Sequence, residues 1–233
     1  MSNWLINESK LINDQDIEEM ERELADAVPN TRSGQLSHNI AVSLHDIVIF
    51  DNKKWFGEAD IRIDTLIITG CGVSNEPSSF YMPKTARFSG IKDGSQLPIG
   101  DGGLLIYYGK ALHFIDICIM ISRDRKDTDN LISIFTQGLQ SKEGKNAFES
   151  LVGLSNSYQA PEIMAAISSV TLLGNLAYKM LRNISGNTIG LYRNTHLQYR
   201  DRYGIGLHPG SPKNFYLVND LSFRYEITLE RNN

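Results

Sequence analysis

Apolar residues recur at every second position along several stretches of this 233-residue chain, and at every third or fourth along others. Alternation marks the two faces of a strand, whereas the longer period marks one face of a helix. Ile40-Ala41-Val42-Ser43-Leu44 and Asp46-Ile47-Val48-Ile49-Phe50 therefore predict one extended stretch, closed by Asp51-Asn52-Lys53-Lys54. Glu58 to Thr69 predicts a second strand through Ile61, Ile63, Leu66 and Ile68, with a bulge near Thr65 where the apolar parity shifts. Arg87 to Gly90 reads as a short extended piece, and Lys92 to Ser95 as a turn. A second turn at Gly100 to Gly103 leads into Leu104 to Tyr108, and Gly109-Lys110 predicts a hairpin-type break before Leu112 to Ile121. That last strand carries Ile115, Ile117, Ile119 and Ile121 on one face and Phe114, Cys118 and Met120 on the other. Two apolar faces predict a central strand covered on both sides. Asp116 shares the second face, so it is expected to be hydrogen-bonded to a backbone group or an arginine.

The period then becomes helical. Asp127-Thr128-Asp129 caps a predicted helix running to about Leu139, with Leu131, Ile132, Phe135 and Leu139 inward. Ala147 to Leu154 predicts a second, short helix, and Pro161 opens a third whose inward stripe runs from Ile163 to Met180. Ile163 to Tyr178 is uncharged over about sixteen residues. A span needs roughly twenty, and the stripe of Ser168, Thr171 and Asn175 favours packing on a sheet over membrane insertion. Strands return at Thr188 to Arg193 and His196 to Arg200. In the final one, Leu221, Phe223, Tyr225, Ile227 and Leu229 alternate with polar residues.

Ahead of all this, Ile17, Met20, Leu24 and Val28 recur at helical spacing among seven acidic residues between Asn13 and Ala27, with Pro29 as a stop. The predicted organisation is an acidic N-terminal helical segment and linker over residues 1–34. A single domain follows over 35–233, with a helical insert at about 127–184. Strands on both sides of the insert must pair across it, giving an α+β fold built on an antiparallel sandwich.

Charge changes the picture in two places. The first thirty residues hold eight acidic and two basic side chains, leaving the remainder at +2 of the total −4. A chain of this balance is not expected to bind nucleic acid. Between Lys179 and Lys213, however, Arg182, Arg193, Arg200 and Arg202 interleave with Tyr199 and Tyr203 against only Asp201. Arginine beside tyrosine suits an anionic ligand, a lipid headgroup or an acidic protein surface. The competing reading is a solvated sheet face.

Several chemistries lack their signatures. Gly-x-Ser-x-Gly, the phosphate-loop string and His-Glu-x-x-His do not occur, and the two cysteines, Cys71 and Cys118, suit free thiols in a reducing cytosol. The N-terminus lacks the basic and apolar regions of a signal peptide, so a cytoplasmic protein is expected. His113, His196 and His208 could meet in space as a zinc site, and His113 with Asp116 and a loop acid as a hydrolytic one. Asp124, Asp127 and Asp129 have a spacing that could hold calcium from one loop, although Asp127 and Asp129 equally complement a helix dipole.

The long strands, the Trp55-Phe56-Gly57-Glu58-Ala59 turn into Asp60-Ile61-Arg62-Ile63, and the returning C-terminal strand resemble a C2-type β-sandwich over roughly residues 36–125 and 186–230. The resemblance implies calcium and phospholipid headgroups at aspartate-bearing loops, here Asp51, Asp101 and the run from Asp124 to Asp129. The functional expectation is a non-catalytic adaptor that recognises a protein or anionic partner through Arg182, Arg193, Tyr199, Arg200, Arg202 and Tyr203, without a cofactor. The alternative is a membrane-directed protein that binds anionic lipid and docks or inserts its helical segment.

Overall fold

The computed structural model describes residues 38–69, 81–125, 131–142, 144–146, 148–149, 187–198, 202–210 and 220–229. The acidic N-terminal helix, the linker and the helix from Pro161 fall outside the described residues, as does most of Ala147 to Leu154. In chain order the elements are β1 (His38–Ile49), β2 (Ala59–Thr69), β3 (Tyr81–Ile91), β4 (Ser95–Gln96), β5 (Leu104–Ala111) and β6 (Phe114–Arg123). Then come α1 (Leu131–Gln140), β7 (Thr188–Leu197), a 3-10 turn (Arg202–Gly204), β8 (Gly206–Pro209) and β9 (Leu221–Leu229).

These strands form two sheets. One runs β4-β1-β9-β8, with β5 also paired to β1, and the other runs β3-β2-β6-β7. All the pairings are antiparallel. The strands on either side of the helical region do pair across it: β9 joins β1, and β7 joins β6.

The inner faces of the two sheets meet in one core. Ile40, Val42, Leu44 and Ile227 of the first sheet pack with Ile61, Ile63, Ile117 and Ile119 of the second, all but dry. Branched side chains hold few rotamers on a pleated surface, so such a core costs little further entropy on folding. The two apolar series of β1, Ile40/Val42/Leu44 and Ile47/Ile49, differ in parity. A register shift between His45 and Val48, with Asp46 at φ 48°, brings both onto the inner face.

The second sheet is covered on its outer face too. Helix α1 lies against β2, and Phe135 meets Tyr81 edge-on at 5.1 Å. Every residue from Phe114 to Ser122 is buried, as the doubly apolar pattern of β6 requires. The architecture is therefore mostly antiparallel strands in two packed sheets, compatible with a β-sandwich. Among the described residues, no helix is long and apolar enough to cross a membrane.

Three local expectations need correction. The bulge of β2 lies between Ala59 and Ile61, and its register with β6 runs unshifted through Thr65. Parity seemed to change there because Thr65 points inward between Ile63 and Ile67, while Leu66 and Ile68 fill the outer face. Strand β5 does not break at Gly109-Lys110. Gly109 lets the Tyr107 hydroxyl pass within 3.0 Å of where a Cβ would stand, and the turn falls at Leu112-His113 instead, with His113 at φ 66°. Finally, β7 runs unbroken through Asn194 and Thr195, whose polar side chains are hydrogen-bonded within the sandwich.

Candidate functional site

Arg193 projects from the outer face of β7 onto Asp116. Its Nε and Nη2 reach the carboxylate at 3.0 and 2.8 Å, and Thr195 Oγ1 donates to the same group at 2.8 Å. The aspartate is thus held as a buried, bidentate ion pair, of the kind expected for a carboxylate flanked by apolar residues. Asp116 is thereby engaged with a guanidinium and a hydroxyl. Tyr203 is 2% exposed and donates its hydroxyl to the carbonyl of Ala111 at 3.2 Å. Of the predicted Arg/Tyr surface, Arg202 is exposed, Arg193 and Tyr203 are spent inside the fold, and Arg182, Tyr199 and Arg200 lie outside the described residues.

The calcium candidates fare similarly. Asp124 lies between Arg87 at 2.9 Å and Arg62 at 3.5 Å, and Arg62 continues the chain to fully buried Asp64. Asp127 and Asp129 lie outside the described residues. No group of three or more His, Cys, Asp or Glu among the described residues could hold a metal ion. Cys118 is buried on the outer face of β6, where burial first, and the Asp116 charge second, push its thiol up to about 12. It is inert at neutral pH.

His196 and His208 do meet, with ring centroids 4.8 Å apart, but as part of a hydrogen-bonded network between the sheets. Tyr225 is its hub. The hydroxyl of Tyr192 and the amide of Asn194 donate to Tyr225 Oη at 3.1 and 2.8 Å, and His196 Nε2 lies 2.9 Å away. Asn194 also lies 3.2 Å from His196 Nε2, so the amide, the phenol and the imidazole form one closed cluster. His208 stacks on Tyr225 at 5.0 Å and bonds the carbonyl of Gly204. Burial first, and the neighbouring Tyr225 second, raise the Tyr192 hydroxyl well above its ordinary range. A Cβ on Gly204 would stand 2.2 Å from His196 Nδ1, so the residue there must be glycine. The cluster braces the fold, with Tyr225 and His196 buried and His208 half-buried at its edge.

The open surface lies at the opposite end of the strands, where β1 ends and β2 begins. The connecting loop is organised by Asn52, which is fully buried. Its amide donates to the carbonyls of Gly57 and Ile91, both at 2.9 Å, and its side-chain oxygen accepts from Lys54 N at 2.9 Å. Its own backbone N–H donates to Asp93 at 2.8 Å. Lys53, at φ 59°, bridges Asp51 and Asp220, and its carbonyl accepts from Arg123 at 3.1 Å. Burial works against the Lys53 ammonium, but hydrogen bonds and charge from Asp220 and Asp51 hold its pKa above the ordinary lysine value. The backbone N–H of Lys53, opposed by some burial, lowers that of Asp51. Lys54 closes the neck by donating to the carbonyl of Glu58 at 2.6 Å.

What this frame presents is apolar. Trp55 is 97% exposed and Phe56 79% exposed, in a run of five exposed residues from Lys54 to Glu58. Phe50, half exposed, lies at the base of the same loop. Beside the tip opens a polar cleft of about 420 Å³, lined by charged residues of both signs including Lys54, Asp60 and Arg125. The sequence did contain the signal, since two large aromatics stand in a turn between Lys53-Lys54 and Gly57. Their outward direction, however, follows from the loop backbone, which hydropathy alone does not report.

Comparison with protein-family models, curated proteins and solved structures finds no match to this chain.

Proposed function

We propose that the chain is a non-catalytic recognition module on a C2-like sandwich, and that it makes contact through the β1–β2 end. One observation carries this reading: Trp55 stands almost wholly in solvent on a loop whose backbone is pinned by a buried asparagine. Large aromatics are seldom left exposed, whereas interface anchors are rich in Trp. A pinned loop also loses little conformational freedom on binding, which removes part of the usual cost of association. The adaptor role thus moves from the Arg/Tyr segment to the aromatic tip. It calls for neither a cofactor nor calcium, nor for nucleic acid, and a cytoplasmic setting remains part of the proposal.

Site-specific photo-crosslinking tests it. A benzophenone side chain at position 55 or 56, in cells producing the protein, should form adducts with protein or lipid. The same group at Tyr108, exposed at the far end of the sandwich, serves as the reference. Equal labelling at both positions would remove the basis for assigning contact to this loop.

A further inference from the structure

We infer that the occupant of the Trp55/Phe56 tip is the interfacial layer of an electrically neutral bilayer; this rests on the reading of that loop as the contact surface. The shape comes first. Five consecutive exposed residues form a convex tip, with the two aromatics at its centre and polar groups at its neck. A protein hot spot is usually ringed by further contacts that exclude water. Here the surface next to the tip is a polar cleft, and among the described residues of this end the exposed large apolar side chains are Trp55, Phe56 and Phe50. A small aromatic wedge above a polar collar suits a boundary where apolar tails give way to headgroups, the depth at which Trp rings settle.

Charge selects the kind of bilayer. In the loop, Lys53 and Lys54 balance Asp51 and Glu58; in the neighbouring turn, Lys92 balances Asp93. Around the cleft, Arg87, Arg123 and Arg125 balance Asp60, Asp124 and Asp220. Among the described residues of this end the net charge is therefore zero. Attraction to anionic lipid requires a cluster of uncompensated basic residues, about one favourable increment for each, and the described residues of this surface supply none. Insertion should depend on the aromatic area and be indifferent to headgroup charge, salt and calcium.

The chain has two tryptophans, Trp4 and Trp55, so Trp4→Phe leaves Trp55 as the reporter. This full-length variant is titrated with vesicles of phosphatidylcholine, and of phosphatidylcholine with phosphatidylserine, at low and high salt and with calcium or a chelator. The expected result is a blue shift of Trp55 emission with quenching by brominated phosphatidylcholine, equal on both lipids and under all these conditions. Vesicle binding, read by co-sedimentation, should fall at least about tenfold on replacing either aromatic by alanine, given the apolar area each would bury. Both side chains are exposed, so the melting temperature should hold. Unshifted emission, binding retained by the double alanine variant, or binding only to phosphatidylserine at low salt each overturns the inference. So does a concentration-dependent blue shift without lipid, which would mark a second copy as the occupant. If vesicles fail while position 55 still crosslinks to a protein in cells, the loop remains the contact surface and only the bilayer is lost.

Discussion

Asn52 shows how much a single side chain can decide. It makes four hydrogen bonds that tie its own loop to the end of β3, and alanine there would strand the carbonyls of Gly57 and Ile91 together with the Lys54 N–H. Buried groups without partners are costly, so Asn52→Ala should lose about 3 kcal/mol in urea denaturation. It should also open the loop to trypsin at Lys53 and Lys54 before the rest of the chain is cut. Trp55→Ala, by contrast, removes only an exposed ring and should change stability by no more than about 0.5 kcal/mol. At the other end, His113 is buried in a left-handed turn, and burial holds its imidazole below the ordinary value of 6.5. Neutral in the fold, it contributes fully above that value. Below it, the unfolded chain takes a proton that the folded chain refuses, and stability falls until the folded-state value is reached. The urea midpoint should accordingly drop between about pH 7.5 and about pH 5.5. His113→Asn, a residue that tolerates positive φ, should show a shallower drop. An unchanged slope in that variant would put the proton elsewhere.

At the scale of elements, strand identity was largely legible and strand interruption was not. The alternation of β9 and the doubly apolar β6 follow directly from period and burial. The breaks expected at Gly109-Lys110 and at Asn194-Thr195 failed for a common reason. Residues typical of turns were serving packing contacts instead, Gly109 beside the Tyr107 side chain of its own strand and Asn194 on Tyr225 of the facing sheet. No local pattern announces a partner on another sheet. The same holds for the Arg/Tyr segment, where Arg193 read as surface because its partner, Asp116, lies 77 positions away. That pair yields a test of its own. Arg193→Met should leave a buried carboxylate uncompensated and cost about 3–5 kcal/mol, whereas adding Asp116→Leu should recover most of the loss. If the double variant is as unstable as the single, the pair contributes more than mutual neutralisation.

At the scale of the whole molecule, a few polar and apolar groups stand against the usual direction within an otherwise apolar core. The interior between the sheets holds a Tyr-Asn-His network, the covered outer face of the second sheet holds Arg193 on Asp116 and Arg62 on Asp64, and one end of the strands carries Trp55 and Phe56 into solvent. The buried groups are bonded to one another and rigidify the frame. The exposed aromatics are the unspent part of the design, and the account rests on their being both fixed and free of contacts. Fluorescence of the Trp4→Phe variant, without lipid or partner, measures both properties at once. The expected signal is the emission of a fully hydrated indole, quenched freely by acrylamide, with the steady anisotropy of a side chain carried on a rigid loop. Emission shifted to the blue and shielded from acrylamide would show the ring covered. Hydrated emission with the low anisotropy of a loose tail would show the loop unpinned, and either result contradicts the account.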